Sequence, residues 1–329
     1  MTETLNIGVI GLGVMGRRML DRLSAHPRLR ACLVWDANPA AVAQALQAHP
    51  HLQAATDAAA LIGHAGLHSL YIATPPAPHM ALSELAFDAG LAVFCEKPLT
   101  VDFAAARACI QRIEQQGQRA AVNFALASAP GLALLEQAFG QASSAAELGF
   151  GALDEVQLNV AFAAWPRPWQ AAAGSWLSER REGGFTREVL SHFIFVLQRV
   201  LGPATVTRSA VSYPADGVGA ETDLQAELQA AGCKVSINAR VGGNIADDNR
   251  MLWRAAQGEI ELSTWFSQIR QQGGSSALDG GDTDSLRALA QTDQLDQWAA
   301  LIEGRPHSLP GYAEALAVQE TIEALLLGR

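Results

Sequence analysis

The 329 residues, 49% of them hydrophobic and 17% charged, suffice for a large core and, at about 150 residues per domain, for two domains. A net charge of -10, from 23 basic and 33 acidic residues with no basic run, argues against nucleic acid and anionic membrane surfaces as partners. The apolar segments are short and interrupted, and a strand pattern starts within about five residues of Met1, so neither a membrane span nor a signal peptide is expected and the protein reads as cytoplasmic.

The first thirty-six residues organise the chain. Leu5–Ile10 predicts a strand, Gly11-Leu12-Gly13-Val14-Met15-Gly16 a turn into a helix reaching Leu23, and Ala31–Trp35 a second strand ending at Asp36. In a dinucleotide-binding unit, Gly11 makes the tight turn, Gly13 lets backbone approach a pyrophosphate, and Gly16 lets the helix lie close to the strand. The N–H groups around Val14 and Met15 then face the phosphates at the positive end of the helix dipole. Asp36 can accept the hydroxyls of an adenine ribose and repels a 2′-phosphate, which favours NAD, with NADP the alternative cofactor. A glycine turn by itself also occurs in folds that bind nothing. Here strand, turn, helix, second strand and terminal acid coincide.

Further along, Pro39–Ala48 and Asp57–Ile62 predict helices, and Leu67–Ala73 a buried strand that ends in Thr74-Pro75-Pro76-Ala77-Pro78-His79. In a doubly wound sheet this loop lies at the ligand-binding edge. His79 taken alone reads equally as a surface residue in the first turn of the next helix, which runs to Ala89. The strand Leu91–Cys95 leads into Glu96-Lys97-Pro98-Leu99-Thr100. That pair is either part of a site or a surface ion-paired turn. Only Lys97 and Lys234 among the 23 basic residues are lysine, so a lysine at 97 looks selected. Lys97-Pro98 is also a candidate cis peptide. A helix over Asp102–Gln116 and a strand over Ala120–Phe124 complete a domain of residues 1–124.

Residues 125–329 predict a substrate-binding and oligomerisation domain. Pro130–Phe139 is helical in pattern, and alternation over Val156–Phe162, 204–213, 222–230, 233–241 and 259–266 implies a mostly antiparallel sheet. Gln272–Gly281 reads as a mobile loop or lid, and Ser285–Glu303 and Gly311–Leu327 as closing helices. Between the first two strands lie Trp165-Pro166-Arg167-Pro168-Trp169 and Gly183-Gly184-Phe185-Thr186-Arg187-Glu188-Val189-Leu190-Ser191-His192. A helix from Thr186 puts Glu188 and His192 on one face. The spacing by itself favours a helical ion pair, while a carboxylate holding an imidazole also suits a general acid or base. The four cysteines form no cluster with each other or with histidine, so no metal site is expected.

With these motifs in order, the chain resembles the Gfo/Idh/MocA family of NAD(P)-dependent oxidoreductases over essentially its whole length, and Glu96-Lys97-Pro98 is the most specific element. The resemblance implies a Rossmann domain with a doubly wound parallel sheet, followed by an α/β domain with an open, mostly antiparallel sheet. It implies Lys97 and His192 as catalytic groups, Glu96 near the nicotinamide, and Thr74, Pro75 and His79 in the loop beneath the cofactor. Glu188 stands where the family usually has aspartate, Leu190 where it has glycine, and Ala125 and Leu126 where an arginine often follows the strand. The implied activity is hydride transfer between nicotinamide and a hydroxyl or carbonyl carbon of a sugar, polyol or related small molecule. The competing reading is a cofactor-binding sensor that has lost turnover. An open sheet with an uncovered apolar face would assemble into a homodimer or homotetramer.

Overall fold

The computed structural model describes residues 3–140, 149–173, 175–243, 247–273 and 283–328, and the chain divides into two compact units. The first contains β1 (Leu5–Ile10), β2 (Leu29–Trp35), β3 (Gln53–Ala54), β4 (Ser69–Ile72), β5 (Ala92–Glu96) and β6 (Ala120–Asn123). All are parallel, in the order β3-β2-β1-β4-β5-β6. The order reverses between β1 and β4, where such sheets bind ligands beyond their strand ends. The connections carry α1 (Val14–Ala25), α2 (Pro39–Ala48), α3 (Ala58–Ile62), α4 (His79–Asp88) and α5 (Phe103–Gln116). Side-chain oxygens of Asn38, Asp57 and Asp102 accept first-turn N–H groups of α2, α3 and α5, stopping each helix from extending backwards.

The second unit begins with α6 (Pro130–Phe139) and β7 (Leu153–Phe162), then two 3-10 turns, Pro168–Ala173 and Ser175–Ser178. A π-helical turn, Thr186–Leu190, runs into α7 (Ser191–Leu201). The remaining strands are β8 (Ala204–Ser212), β9 (Asp223–Ala230), β10 (Cys233–Val241), β11 (Asp248–Ala255), β12 (Gly258–Ser263) and β13 (Gln268–Gly273). They form a seven-stranded sheet, β13-β12-β11-β7-β10-β9-β8, in which only β7 and β10 are parallel. Val156, Leu158, Val235, Ile237, Met251 and Trp253 face the core, where Phe139 of α6 stacks on Trp253 at 5.7 Å.

The opposite face corrects one expectation. Gln157, Asn159, Lys234, Ser236, Asn238, Arg250 and Arg254 occupy it, with ion pairs such as Lys234 to Glu227 at 2.9 Å and Arg250 to Asp248 at 3.0 Å. The uncovered face is therefore polar, and the inference from an apolar face to an oligomer does not hold. Strand β11 escapes the alternation rule because its inward row opens with Asn249. Strand β13 is a glutamine- and arginine-rich edge, and it takes in Gln272 and Gly273 of the stretch read as a loop. Residues 274–281 of that stretch lie outside the described residues.

The last helices are α8 (Thr283–Ile302) and α9 (Tyr312–Leu326). The segment Gln291–Leu316 belongs with Met1–Phe124, whereas a single cut after residue 124 assigns it to the other domain. Trp298 explains the difference. Its ring lies 5.0 Å from Phe94 and 5.8 Å from Tyr71, and its indole N–H donates to Ser69 Oγ at 3.0 Å. The parallel sheet needs this late helix to cover its apolar strands.

Candidate active site

The glycine turn has the geometry its sequence implies. Gly11 has φ +93°, and a Cβ there would come within 2.5 Å of the Ala73 carbonyl carbon. At Gly16 a Cβ would overlap the Gly11 carbonyl oxygen, whereas one at Gly13 would meet nothing within 4 Å. Open space over Gly13, at the N-terminus of α1 with no acidic residue in its first turn, fits a pyrophosphate. Thr74 Oγ1, beside this turn at the end of β4, is buried without a hydrogen-bond partner among the described residues. Asp36 Oδ2 accepts the Leu12 N–H at 2.6 Å and Oδ1 the Asn38 N–H at 2.7 Å. A carboxylate has about four acceptor positions, so Asp36 tethers the turn and keeps capacity for ribose hydroxyls. These features fit a bound dinucleotide.

His79 opens α4 at the end of the loop that follows β4. It is fully buried at 0% exposure, with Nε2 2.9 Å from the Thr74 carbonyl and Nδ1 3.2 Å from the Leu99 carbonyl. It clamps the loop after β4 to the turn after β5, and Pro76 is buried beside it while Pro75 is exposed. Burial pushes the His79 imidazole below its ordinary value, outweighing the carbonyls that favour its charge. Folded His79 thus holds a proton less readily than the unfolded chain does. Below about pH 6.5 the unfolded state binds more protons, so stability falls with acidification. Between pH 7 and 5 the melting temperature of the native protein should drop more steeply than that of His79→Asn. Equal slopes would contradict this role.

Glu96 ends β5. Its carboxylate is 4% exposed and turned inward, accepting from the Tyr71 hydroxyl and from Asn123 Nδ2 at 2.7 Å. Gln294 of α8 donates to Asn123 Oδ1 at 2.9 Å. Burial and then the Glu96 charge hold the Tyr71 phenol well above its usual range. The network anchors the end of β5, and the next residue, half-buried Lys97, follows directly, its peptide bond to Pro98 being cis. Tyr71, Asn123 and Gln294 were not legible as site residues, because Tyr71 and Asn123 belong to short buried strands and Gln294 is one of several polar residues in its stretch of α8.

In the second unit, Gly184 has φ +100°, and a Cβ there would strike the Glu221 carboxylate. Glu221 is buried and accepts the Thr186 N–H at 2.7 Å, and burial raises its carboxyl above the ordinary range. Arg187 is held by Glu323 at 2.6 and 2.8 Å. These contacts shape a π-helical turn where an α-helix was expected. The wider turn changes how Glu188 projects relative to His192, and such turns recur at functional sites. Glu188 is half-buried, and His192, at 7% exposure, is the second residue of α7.

His192 faces an aromatic group that the sequence did not reveal. Its ring lies 5.8 Å from that of Trp265, at 83° between planes. Thr264, Trp265 and Phe266 have φ of 53°, 58° and 61°, a left-handed run costing roughly 1–2 kcal/mol per residue. No glycine or asparagine marks that run in the sequence.

The structure gathers Gly11, Gly13, Val14, Met15, Gly16, Asp36, Thr74, Pro75, Pro76, His79, Glu96 and Lys97 in the first unit, at or just beyond the carboxyl ends of β1, β2, β4 and β5. Glu188 and His192 belong to the second. No group of three or more metal-ligating side chains occurs among the described residues.

Residues 5–124 match a family model described as an oxidoreductase family with an NAD-binding Rossmann fold. An inositol 2-dehydrogenase of Arthrobacter sp. is 32% identical over 120 residues, 36% of this chain and 36% of that protein. One from Rhizobium meliloti is 26% identical over 209 residues, 63% of this chain and 58% of that protein. The chain thus spans 36% and 58% of the length of these two relatives. The WlbA dehydrogenase of Bordetella pertussis, solved with NADH and UDP-GlcNAcA, shares the fold with a TM-score of 0.84 at 18% identity, covering 99% of this chain and 95% of that one. The UDP-N-acetylglucosamine 3-dehydrogenase GnnA of Acidithiobacillus ferrooxidans gives a TM-score of 0.78 at 19% identity, covering 99% and 98%.

Proposed function

We propose, because residues 5–124 match the Gfo/Idh/MocA oxidoreductase family model with its NAD-binding Rossmann fold, that the chain is an NAD-dependent dehydrogenase or reductase acting on CH–OH groups of sugars or polyols. The observation that carries this reading is the glycine turn at the switch point of the parallel sheet, with open space at Gly13 and a carboxylate at Asp36. Bound NAD supplies the hydride acceptor, and the protein supplies orientation and proton transfer. As an alcohol carbon gives up its hydride, the proton of its hydroxyl must pass to a base. His192 is that base in this proposal, Glu188 its supporting charge, and Lys97 the cation that steadies the developing alkoxide. Lysine suits the last task because an ammonium exchanges its proton where a guanidinium does not.

The inositol 2-dehydrogenases among the relatives make cyclic polyols the first substrates to screen. NAD reduction by some member of a polyol and sugar panel is the expected result. Binding of NAD without turnover on any of them would favour the sensor. NAD(H) should bind at least about tenfold more tightly than NADP(H) in calorimetric titration, since facing like charges cost several kcal/mol and Asp36 would oppose the 2′-phosphate. A tighter NADP(H) constant would sink the cofactor assignment. Four unbridged cysteines suit a reducing, cytoplasmic compartment. Among the described residues no helix is long and apolar enough to cross a membrane. Self-association as a homodimer or homotetramer through the open sheet face would have to use ion pairs and hydrogen bonds in place of apolar burial.

A further inference from the structure

We infer that Trp265 determines specificity: its indole forms a surface beside His192 on which the C–H face of a six-membered polyol or sugar ring stacks. This rests on the reading of the chain as a polyol or sugar dehydrogenase that uses His192. Trp265 lies between β12 and β13, at the centre of the left-handed run. Such backbone persists only where its surroundings over-determine it, and it collects at binding and catalytic sites. Asn249 of β11 supplies the restraint, its Oδ1 accepting the Trp265 N–H at 2.6 Å. The Thr264 carbonyl accepts the N–H of Ser267 at 3.3 Å and also its hydroxyl. Phe266 fills the core against Phe193, with rings 5.8 Å apart. Core packing therefore asks for Phe266, while Trp265 stays half-buried.

The Trp265 indole meets His192 at 5.8 Å and Phe193 at 5.7 Å. The Arg167 guanidinium lies 5.5 Å from the same indole, 4.7 Å from Trp169 and 5.9 Å from Trp165. Gln170 Oε1 accepts from Arg167 Nε at 3.0 Å. One buried cation thus fastens three indoles, and Trp169 remains 43% exposed. Fixed indoles beside an imidazole offer flat, electron-rich faces. The C–H bonds on one side of a cyclitol or pyranose are apolar and electropositive, while its hydroxyls point to the rim where hydrogen-bonding groups can reach them. An acyclic polyol presents such a face only after several torsions are frozen, so the surface selects ring over chain.

The test measures NAD reduction and calorimetric binding to the NADH-loaded protein with the ring probes myo-inositol and D-glucose and the acyclic probe sorbitol. Wild type is compared with Trp265→Ala, Trp265→Leu, Trp265→Phe and Asn249→Ala. Wild type should prefer ring to chain. Trp265→Ala and Trp265→Leu should raise KM for the preferred ring probe about tenfold and shrink the ring-over-chain ratio in kcat/KM by a similar factor, with Trp265→Phe restoring most of both. Asn249→Ala, which releases the turn, should shift KM in the same direction and leave NADH affinity unchanged. An unchanged ratio in Trp265→Ala with a wild-type melting temperature overturns the inference; should that variant not fold, an unchanged ratio in Trp265→Leu does so. Binding of a ring probe without turnover would defeat the dehydrogenase reading, and the variants' dissociation constants would then judge the surface. Wild type that binds and turns over none of the probes, or that does not prefer ring to chain, overturns the inference.

Discussion

Replacing His192 by alanine should lower kcat on an established substrate by about 10²-fold or more, within the range for a general base, with NADH affinity nearly unchanged. Lys97→Arg should do comparable harm, for a different reason. It keeps the positive charge but replaces a compact ammonium with a planar group that does not release a proton near neutral pH. Glu188→Gln should cost less, because in the proposed mechanism this half-buried carboxylate supports the imidazole and does not meet the substrate. If His192→Ala and Lys97→Arg each kept near-full turnover, the proton-transfer assignment would be wrong, and the base would have to be sought elsewhere. A pH profile adds an independent reading: the limb of kcat/KM that reports the free base should vanish in His192→Ala.

Two alanine substitutions in one turn should fail in different ways. At Gly16 the new Cβ would overlap the Gly11 carbonyl oxygen, with rigid backbone on both sides. Overpacking of this kind costs about 1–3 kcal/mol or more, and Gly16→Ala should melt several degrees lower and lose NAD affinity together. At Gly13 a Cβ enters open space, so Gly13→Ala should melt like the native protein. Its loss should appear only in calorimetric titration with NAD, as a dissociation constant raised about tenfold or more, because the methyl group fills the approach of the pyrophosphate. Equal melting temperatures with equal NAD affinities in all three proteins would remove the turn from the cofactor site.

The inward turn of Glu96 bears on Lys97 as well. A buried carboxylate satisfied by Tyr71 and Asn123 fixes the end of β5, so the backbone that carries Lys97 starts from a rigid point. His79 holds the other side, through the Leu99 carbonyl. Functional side chains are positioned best when their neighbours are already satisfied, and here one carboxylate and one imidazole are used for support.

The sequence by itself determined the strand–turn–helix unit and the placing of Lys97 beyond a strand. Each depends on local periodicity and on glycine or proline chemistry, which act over a few residues. Only the tertiary structure decided where Glu96 and His79 point, because one ends β5 and the other opens α4, and side chains at such ends choose between solvent and partners distant in sequence. It also decided that residues 291–316 cover the first sheet, since the need to bury Phe94 and Tyr71 is not visible in the helix that meets it. The π-helical turn before His192 and the left-handed run at Trp265 were hidden for the same reason. Neither is marked by a local turn residue, and both are held by long-range contacts: Glu221 at Thr186, and Asn249 at Trp265.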